Sequence, residues 1–268
     1  MTERNRAAFV DIHCHILPGL DDGASTREEA LAMARLAVSD GIATVIATPH
    51  QLGNYGENRG AGIREACHEF QSLLNAHGIP LRVLPGADVR IEPDLVRKVR
   101  DGDVLTLADQ GRYVLLELPH ELYFPLDRLL SQLGEAGLIG ILSHPERNLG
   151  ILSQPGVLEP LHEAGCLFQI TAGSLVGTFG PAIRTFSEGL VRRGLVHFVA
   201  TDAHGSRSRR PLIGRAHRRV ASIAGDNAAA AVCCTNPARI VDDRIVRGRT
   251  GSPNERAQRG WFAWRRVG

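Results

Sequence analysis

A chain of 268 residues is long enough for one α/β barrel or for two small domains. With 43% hydrophobic and 22% charged residues it can bury a full core, and it has no apolar run long enough to span a membrane. A net charge of +2 argues neither for nor against nucleic acid, and five cysteines without a Cys-x-x-Cys pair read as reduced thiols in a cytoplasm, with no secretory signal ahead of the first strand.

Residues 7–15 read as a buried strand that ends in His-x-His. Alternate side chains of a strand share a face, so His13 and His15 point one way and Cys14 the other. A loop of turn formers, Pro18-Gly19-Leu20-Asp21-Asp22-Gly23, comes next. Ser25-Thr26-Arg27-Glu28 is a capping box for a helix to about Ser39, stopped by Gly41. Ile42-Ala43-Thr44-Val45-Ile46-Ala47 is a continuous apolar strand that ends in Thr48-Pro49-His50. A helix is expected over 63–76, a strand over 81–88 ending in Asp88, and a short helix over 93–100. The strand over 113–118 carries Glu117 just inside its end. A helix over 125–136 leads to a strand over 139–144 ending in His144, and a helix near 157–164 leads to a strand over 166–171. A further helix ends near Arg193. The last strand, 196–202, ends in Asp202-Ala203-His204, and helices are expected over 214–224 and 228–233.

Seven near-continuous apolar strands, each followed by a helix or a long loop, predict an α/β protein with a parallel sheet. Right-handed crossovers close such a sheet into a TIM-like barrel, an open doubly wound sheet being the other arrangement. No Gly-x-Gly-x-x-Gly follows the first strand, so nothing points to a dinucleotide.

The polar residues fall in a telling place. His13, His15, His50, Asp88, Glu117, His144, Asp202 and His204 all sit at or just past the C-terminal ends of strands, which in a parallel barrel face one mouth. Of eleven histidines, five lie there. His68, His77, His162 and His217 fall in helices and read as surface residues, His197 opens a strand at the opposite end, and His120 lies in a loop. This set exceeds the four ligands of one zinc. Mixed imidazoles and carboxylates suit two or three ions such as Mn²⁺, Fe or Zn²⁺, with a carboxylate bridging. Such a cluster brings a bound water towards neutrality and clamps an anionic oxygen, the machinery of phosphoester hydrolysis.

Val10-Asp11-Ile12-His13-Cys14-His15-Ile16-Leu17-Pro18-Gly19-Leu20-Asp21-Asp22-Gly23, together with Ala47-Thr48-Pro49-His50, Ser143-His144-Pro145-Glu146-Arg147-Asn148 and Thr201-Asp202-Ala203-His204, resembles the polymerase-and-histidinol-phosphatase (PHP) superfamily. Within it the chain resembles the bacterial tyrosine-protein phosphatases of capsule and exopolysaccharide loci, the CpsB/YwqE type, over about residues 10–241. The resemblance implies a distorted (β/α)7 barrel over residues 1–248, with 249–268 as a basic, aromatic tail. It implies three metal ions, usually Mn²⁺, held by His13, His15, Asp22, His50, Asp88, Glu117, His144, Asp202 and His204, with Asp22 added by the resemblance alone. It makes Arg147 and Arg210 the residues that grip the substrate phosphate, the fork of arginine binding phosphate oxygens bidentately. Asp202 or a neighbouring histidine would pass a proton to the tyrosyl oxygen. The implied substrate is a phosphotyrosine protein, a membrane-associated tyrosine autokinase. Two positions depart from the family pattern: Asp88 stands where Glu is common, and Gln51 follows His50 where a basic residue is common.

Three other readings compete. Cys233 and Arg239 have the Cys-x5-Arg spacing of cysteine-dependent phosphatases, but the segment has no glycine and contains Pro237, so it cannot cradle phosphate with backbone N–H groups. A PHP enzyme acting on a small molecule such as histidinol phosphate would share the strand ends. A binding module would use the tail, where residues 244–268 carry seven arginines, Glu255 as the one acid, and Trp261, Phe262 and Trp264, a composition suited to an anionic membrane surface or a partner.

Overall fold

A computed structural model describes residues 8–246, so the expectations for the tail 249–268 lie outside the described residues. The strands are β1 (Phe9–Cys14), β2 (Ile42–Ala47), β3 (His50–Gln51), β4 (Arg82–Pro85), β5 (Asp88–Arg90), β6 (Tyr113–Glu117), β7 (Ile139–Ser143), β8 (Leu167–Thr171) and β9 (Phe198–Ala200). The helices used below are α1 (Arg27–Asp40), α2 (Gly60–Ala76), α3 (Leu95–Arg100), α4 (Asp127–Glu135), α5 (Leu149–Ser153), α6 (Leu158–Glu163), α7 (Ala172–Leu175), α8 (Pro181–Arg192) and α9 (Gly214–Ala224). None among the described residues is long and apolar enough to cross a membrane.

Every strand pairing is parallel, in two sheets ordered β1-β2-β4 and β3-β5-β6-β7-β8-β9. Two of the expected strands are each cut in two. Pro49 lacks an N–H for the ladder between β2 and β3. Between β4 and β5, Gly86 passes so close to β2 that an added Cβ would lie 2.7 Å from Ile46 Cγ2. Neither sheet is closed. The end of β1 nonetheless reaches the chain after β9: Cys14 bridges Ala203, His15 N–H donates to Ala203 O at 2.9 Å and Asp202 N–H donates to His13 O at 2.7 Å. All strand C-termini therefore face one side.

The unbroken apolar runs have a physical cause. In β6, β7 and β9 alternate residues divide between two buried clusters. Tyr113, Leu115, Ile141, Phe198 and Ala200 belong to one, and Val114, Leu116, Leu142 and Val199 to the other, packed with helix residues. Both faces are covered, so neither needs polar side chains. Cys14 joins the helix-packed cluster.

α1 begins one residue later than the capping box suggests. Thr26 Oγ1 accepts from Glu29 N–H at 3.2 Å, and Gly41 closes the helix at φ 96°. The Glu29 carboxylate is then free to accept from Ser206 N–H at 2.6 Å, tying α1 to the loop after β9. Two helix histidines are not surface residues. His162 is half-buried, its ring 4.9 Å from that of His197 and 6.2 Å from Phe168, and half-buried His217 lies 5.4 Å from the Phe9 ring.

Candidate metal centre

The C-terminal ends of β1, β6, β7 and β9 bring His13, His15, Glu117, His144, Asp202 and His204 together; His50 and Asp88, expected to close strands, instead open β3 and β5, where the chain breaks after β2 and β4, and the loop after β1 adds Asp22. Their ligand atoms form four overlapping groups within 4.8 Å: His15, Asp22, His50 and His204; His13, His15 and Asp88; His13, His144 and Asp202; and His50, Asp88 and Glu117. Asp22, His50, Glu117, His144, Asp202 and His204 line a cavity of about 180 Å³ that Arg147, Arg209 and His120 also line, while His13, His15 and Asp88 are fully buried. A roomier cleft of 780 Å³ beside α3 and α4 contains none of these groups, so chemistry rather than size identifies the site.

The backbone is bent to make this cluster. His144, Asp202 and Arg209 have φ of 33°, 50° and 44°, in the left-handed region that costs an L-residue about 1–2 kcal/mol. Gly23 is required by contact: a Cβ there would lie 2.2 Å from His15 O.

Hydrogen bonds to the far ring nitrogens orient the imidazoles. His15 Nδ1–H donates to Asp21 Oδ2 at 2.6 Å, His13 Nδ1–H to Gln169 Oε1 at 2.8 Å and His204 Nδ1–H to Asp202 O at 3.0 Å. Each Nε2 is left aimed into the site, the arrangement that carboxylate–histidine pairs impose on metal ligands. Asp21 also accepts from the N–H of His50 and of Gly23, both at 3.0 Å, so one carboxylate fixes two of the histidines and the loop.

This crowds imidazole nitrogens and carboxylate oxygens together. His13 Nε2 and His15 Nε2 are 3.2 Å apart, and Asp202 Oδ1 stands 3.4 and 3.5 Å from them. Asp88 Oδ2 lies 3.5 Å from His13 Nε2, 3.5 Å from His50 Nδ1 and 4.0 Å from His144 Nε2. Asp88 is fully buried, yet neither carboxylate oxygen has a hydrogen-bond partner. His204 Nε2 and His50 Nε2 face Asp22 Oδ1 at 3.3 and 3.5 Å, and Glu117 Oε2 faces His50 Nδ1 at 3.6 Å. Ligands held about 2.1 Å from one ion are separated by about 3.0 Å in an octahedron and about 3.4 Å in a tetrahedron. The spacings, 3.2–4.0 Å, start within that range and run somewhat wider, and a cation would offset the buried carboxylate that lacks donors.

The ionisation pattern agrees. Burial disfavours charge on every member, but Asp202 and then Asp21 pull the His15 imidazolium up to about 10, so a proton supplies part of the missing positive charge. Burial pushes His144 down to about 3 and also lowers His50 and His204, leaving them neutral ligands. Asp88 and Asp202 are held below the carboxylate range, burial being outweighed by His13 and the other imidazoles. Burial and the charge of Asp88 raise Glu117.

Arg147 and Arg209 both hold Asp202 Oδ2, the latter at 2.5 Å, and the Phe179 ring lies 4.4 Å from the Arg147 guanidinium. Arg210 does not join them. It is exposed and absent from the cavity wall, because the left-handed turn at Arg209 sends the two neighbouring side chains different ways. Sequence reasoning therefore missed Arg209, Asp21 and Gln169. The signal for Asp21 was its place between a His-x-His strand and a ligand; nothing in the sequence marked Gln169. Gln51, the other departure, turns away from the cavity. Its amide donates to Asn58 O at 2.7 Å and Asp103 O at 2.9 Å and accepts from Leu105 N–H at 2.8 Å, bracing the loop after β3.

The cysteine alternative has no support in this geometry. Cys233 lies buried inside a π-helical turn, and burial pushes its thiol far above the range in which a thiolate forms.

Comparison with known proteins gives the family. The family profile described as capsular polysaccharide synthesis, CpsB/CapC, matches residues 9–242. The chain is 42% identical to the tyrosine-protein phosphatase YwqE of Bacillus subtilis over 75% of this chain and 79% of that protein. It is 33% identical to the putative tyrosine-protein phosphatase CapC of Staphylococcus aureus, over 75% and 79% respectively. A crystal structure from work on YwqE of B. subtilis and CpsB of Streptococcus pneumoniae, described as metal-dependent tyrosine phosphatases, superposes with a TM-score of 0.87 at 36% identity, over 92% of this chain and 100% of the other.

Proposed function

The chain belongs to the CpsB/CapC family of capsular polysaccharide synthesis, and from that premise we propose that it hydrolyses phosphotyrosine in proteins with divalent metal ions. The observation that carries the reading is Asp88: a buried carboxylate with no hydrogen-bond partner, ringed by imidazole nitrogens at 3.5–4.0 Å. His13, His15, Asp22, His50, Asp88, Glu117, His144, Asp202 and His204 hold two or three ions, Mn²⁺ being the best fit to the mixed nitrogen and carboxylate set, with Fe or Zn²⁺ as alternatives. When bound, such ions polarise a phosphoryl oxygen and make a water nucleophilic near neutral pH. At one methylene shorter than Glu, Asp88 still reaches His13, His50 and His144.

The protein groups do the rest. Asp22, Asp88 and Asp202 face Arg147 and Arg209 in and beneath the cavity, and bound cations add the positive charge that draws in a phosphate dianion. Arg147 and Arg209 then exchange Asp202 Oδ2 for phosphate oxygens, which they grip in fork geometry. Phe179 keeps the Arg147 fork flat and aimed. Tyr55 stacks on His50 with centroids 5.3 Å apart and steadies that imidazole. His120 lines the rim and belongs to none of the ligand groups, so its imidazole is placed to hand a proton to the leaving tyrosyl oxygen.

The two sheets act as one distorted (β/α)7 barrel over residues 1–248, the join of β1 to the chain after β9 completing the ring. The expected substrate is a membrane-associated tyrosine autokinase of capsule synthesis. A cytoplasmic location fits five free, buried cysteines, and the arginine- and tryptophan-rich residues 249–268 suit contact with an anionic membrane or that kinase. Parallel assays on a phosphotyrosine peptide and histidinol phosphate test the reading. The peptide should be turned over far faster, and the reverse order would transfer the chain to the small-molecule class.

A further inference from the structure

The cavity is not the only place rich in arginine. Between Arg207 and Arg219 the chain carries six arginines and no acidic residue. One end of this stretch is in the cavity, where Arg209 meets Asp202. The other is the start of α9, where Arg215, Arg218 and Arg219 join Arg184 of α8 around a shallow depression of about 290 Å³, with the half-buried Val176 on its apolar side.

Two of these guanidiniums are fixed and two are free. Glu188 accepts from Arg184 at 2.9 Å and from Arg219 at 2.6 Å, and it also accepts from Arg192. One carboxylate thus faces three guanidiniums. Arg215 and Arg218 are exposed and enter no ion pair among the described residues. The depression is close to the cavity. Phe179, whose ring lies 4.4 Å from the Arg147 guanidinium, is three residues past Val176, a length of chain that spans at most about 11 Å. The depression and the cavity flank one short segment.

We propose that this depression is an accessory phosphotyrosine subsite, holding a second phosphorylated tyrosine of the same peptide while the first occupies the cavity. The inference rests on the phosphotyrosine reading above and adds the substrate class that the enzyme prefers. The chemistry of the walls is matched to that group: guanidinium forks for a phosphate dianion, and the half-buried Val176 for the edge of an aryl ring, which a bare anion would not need. The arginine stretch supplies charge complementarity along the way between the two positions. From Arg209 to Arg215 is six residues, at most about 20 Å, so the two phosphotyrosines should lie within about six residues of each other in an extended peptide.

The metal-loaded full chain is assayed with p-nitrophenyl phosphate, a singly phosphorylated peptide, and the same peptide carrying a second phosphotyrosine four residues away. The wild type should show a kcat/KM about tenfold higher on the doubly phosphorylated peptide, through KM. R215E/R218E should lose that preference while its rates on the other two substrates stay within about twofold of wild type, since neither side chain holds the fold through an ion pair. No preference in the wild type, or an equal loss on all three substrates in the variant, overturns the subsite. So does a peptide with glutamate in place of the second phosphotyrosine that serves equally well, because it would reduce the surface to general acidic docking. Failure to hydrolyse any phosphotyrosine peptide would instead remove the parent reading.

Discussion

Replacing Asp88 by Asn tests the metal centre at its most buried member. The substitution keeps shape and volume but removes the charge from the one carboxylate whose oxygens have no donor. Loss of the groups that merely orient metal ligands costs about 10–100-fold in metal affinity, and a ligand buried among three imidazoles should cost at least the upper figure. A site saturated a hundredfold above its Kd stabilises the fold by about 2.7 kcal/mol. For a chain of this size that is roughly 5–11 °C in Tm. The assay is thermal unfolding of wild type and D88N, each with chelator and with excess Mn²⁺, alongside metal content and turnover of a phosphotyrosine peptide. D88N should lose most of the metal-dependent rise and at least about 100-fold in turnover at limiting metal. A D88N protein with the full metal-dependent rise would refute the argument.

Three further outcomes follow from the geometry. Arg147→Ala and Arg209→Ala should each lower kcat/KM on phosphotyrosine peptide by about 100-fold, whereas Arg210→Ala should stay near wild type; the opposite order for Arg209 and Arg210 would show that the turn is drawn wrongly. His197, whose Nδ1 accepts from Phe168 N–H at 3.0 Å, is lowered to about 3 by burial and then by the charge of His162. A depressed pKa gives stability that is present above the unfolded value near 6.5 and lost as pH falls towards 3, so about 2.7 kcal/mol should disappear by pH 4.5. His197→Asn, whose amide oxygen can take over the acceptor role, should flatten that acid slope in urea titrations; an unchanged slope would move the effect elsewhere. Cys233→Ser should retain full activity, and its loss would reopen the thiolate alternative.

The strand ends were legible because a parallel sheet separates two tasks. Its strands are covered on both faces and read as apolar runs, so a histidine or acid that closes a run stands out, as at His15, Asp88, Glu117 and Asp202. What stayed hidden depends on three-dimensional detail that no local pattern carries. Two strands are cut by Pro49 and by the close approach of Gly86, with each half in a different sheet. Asp21 and Asp22 are neighbours of the same type, yet the first fixes His15 and His50 while the second faces His204 Nε2. Arg209 and Arg210 differ in role through a single positive φ. His162 sits on a short helix that looked exposed, and its burial comes from the His197 and Phe168 rings beneath it.

The central claim is that this buried, donor-poor cluster works only with divalent cations. It is tested most directly by measuring metal content and phosphotyrosine-peptide turnover on one preparation, before chelation, after it, and after adding Mn²⁺ back. Two or three ions per chain should leave together with the activity, and both should return on reconstitution. Full turnover by protein shown to be metal-free would contradict it.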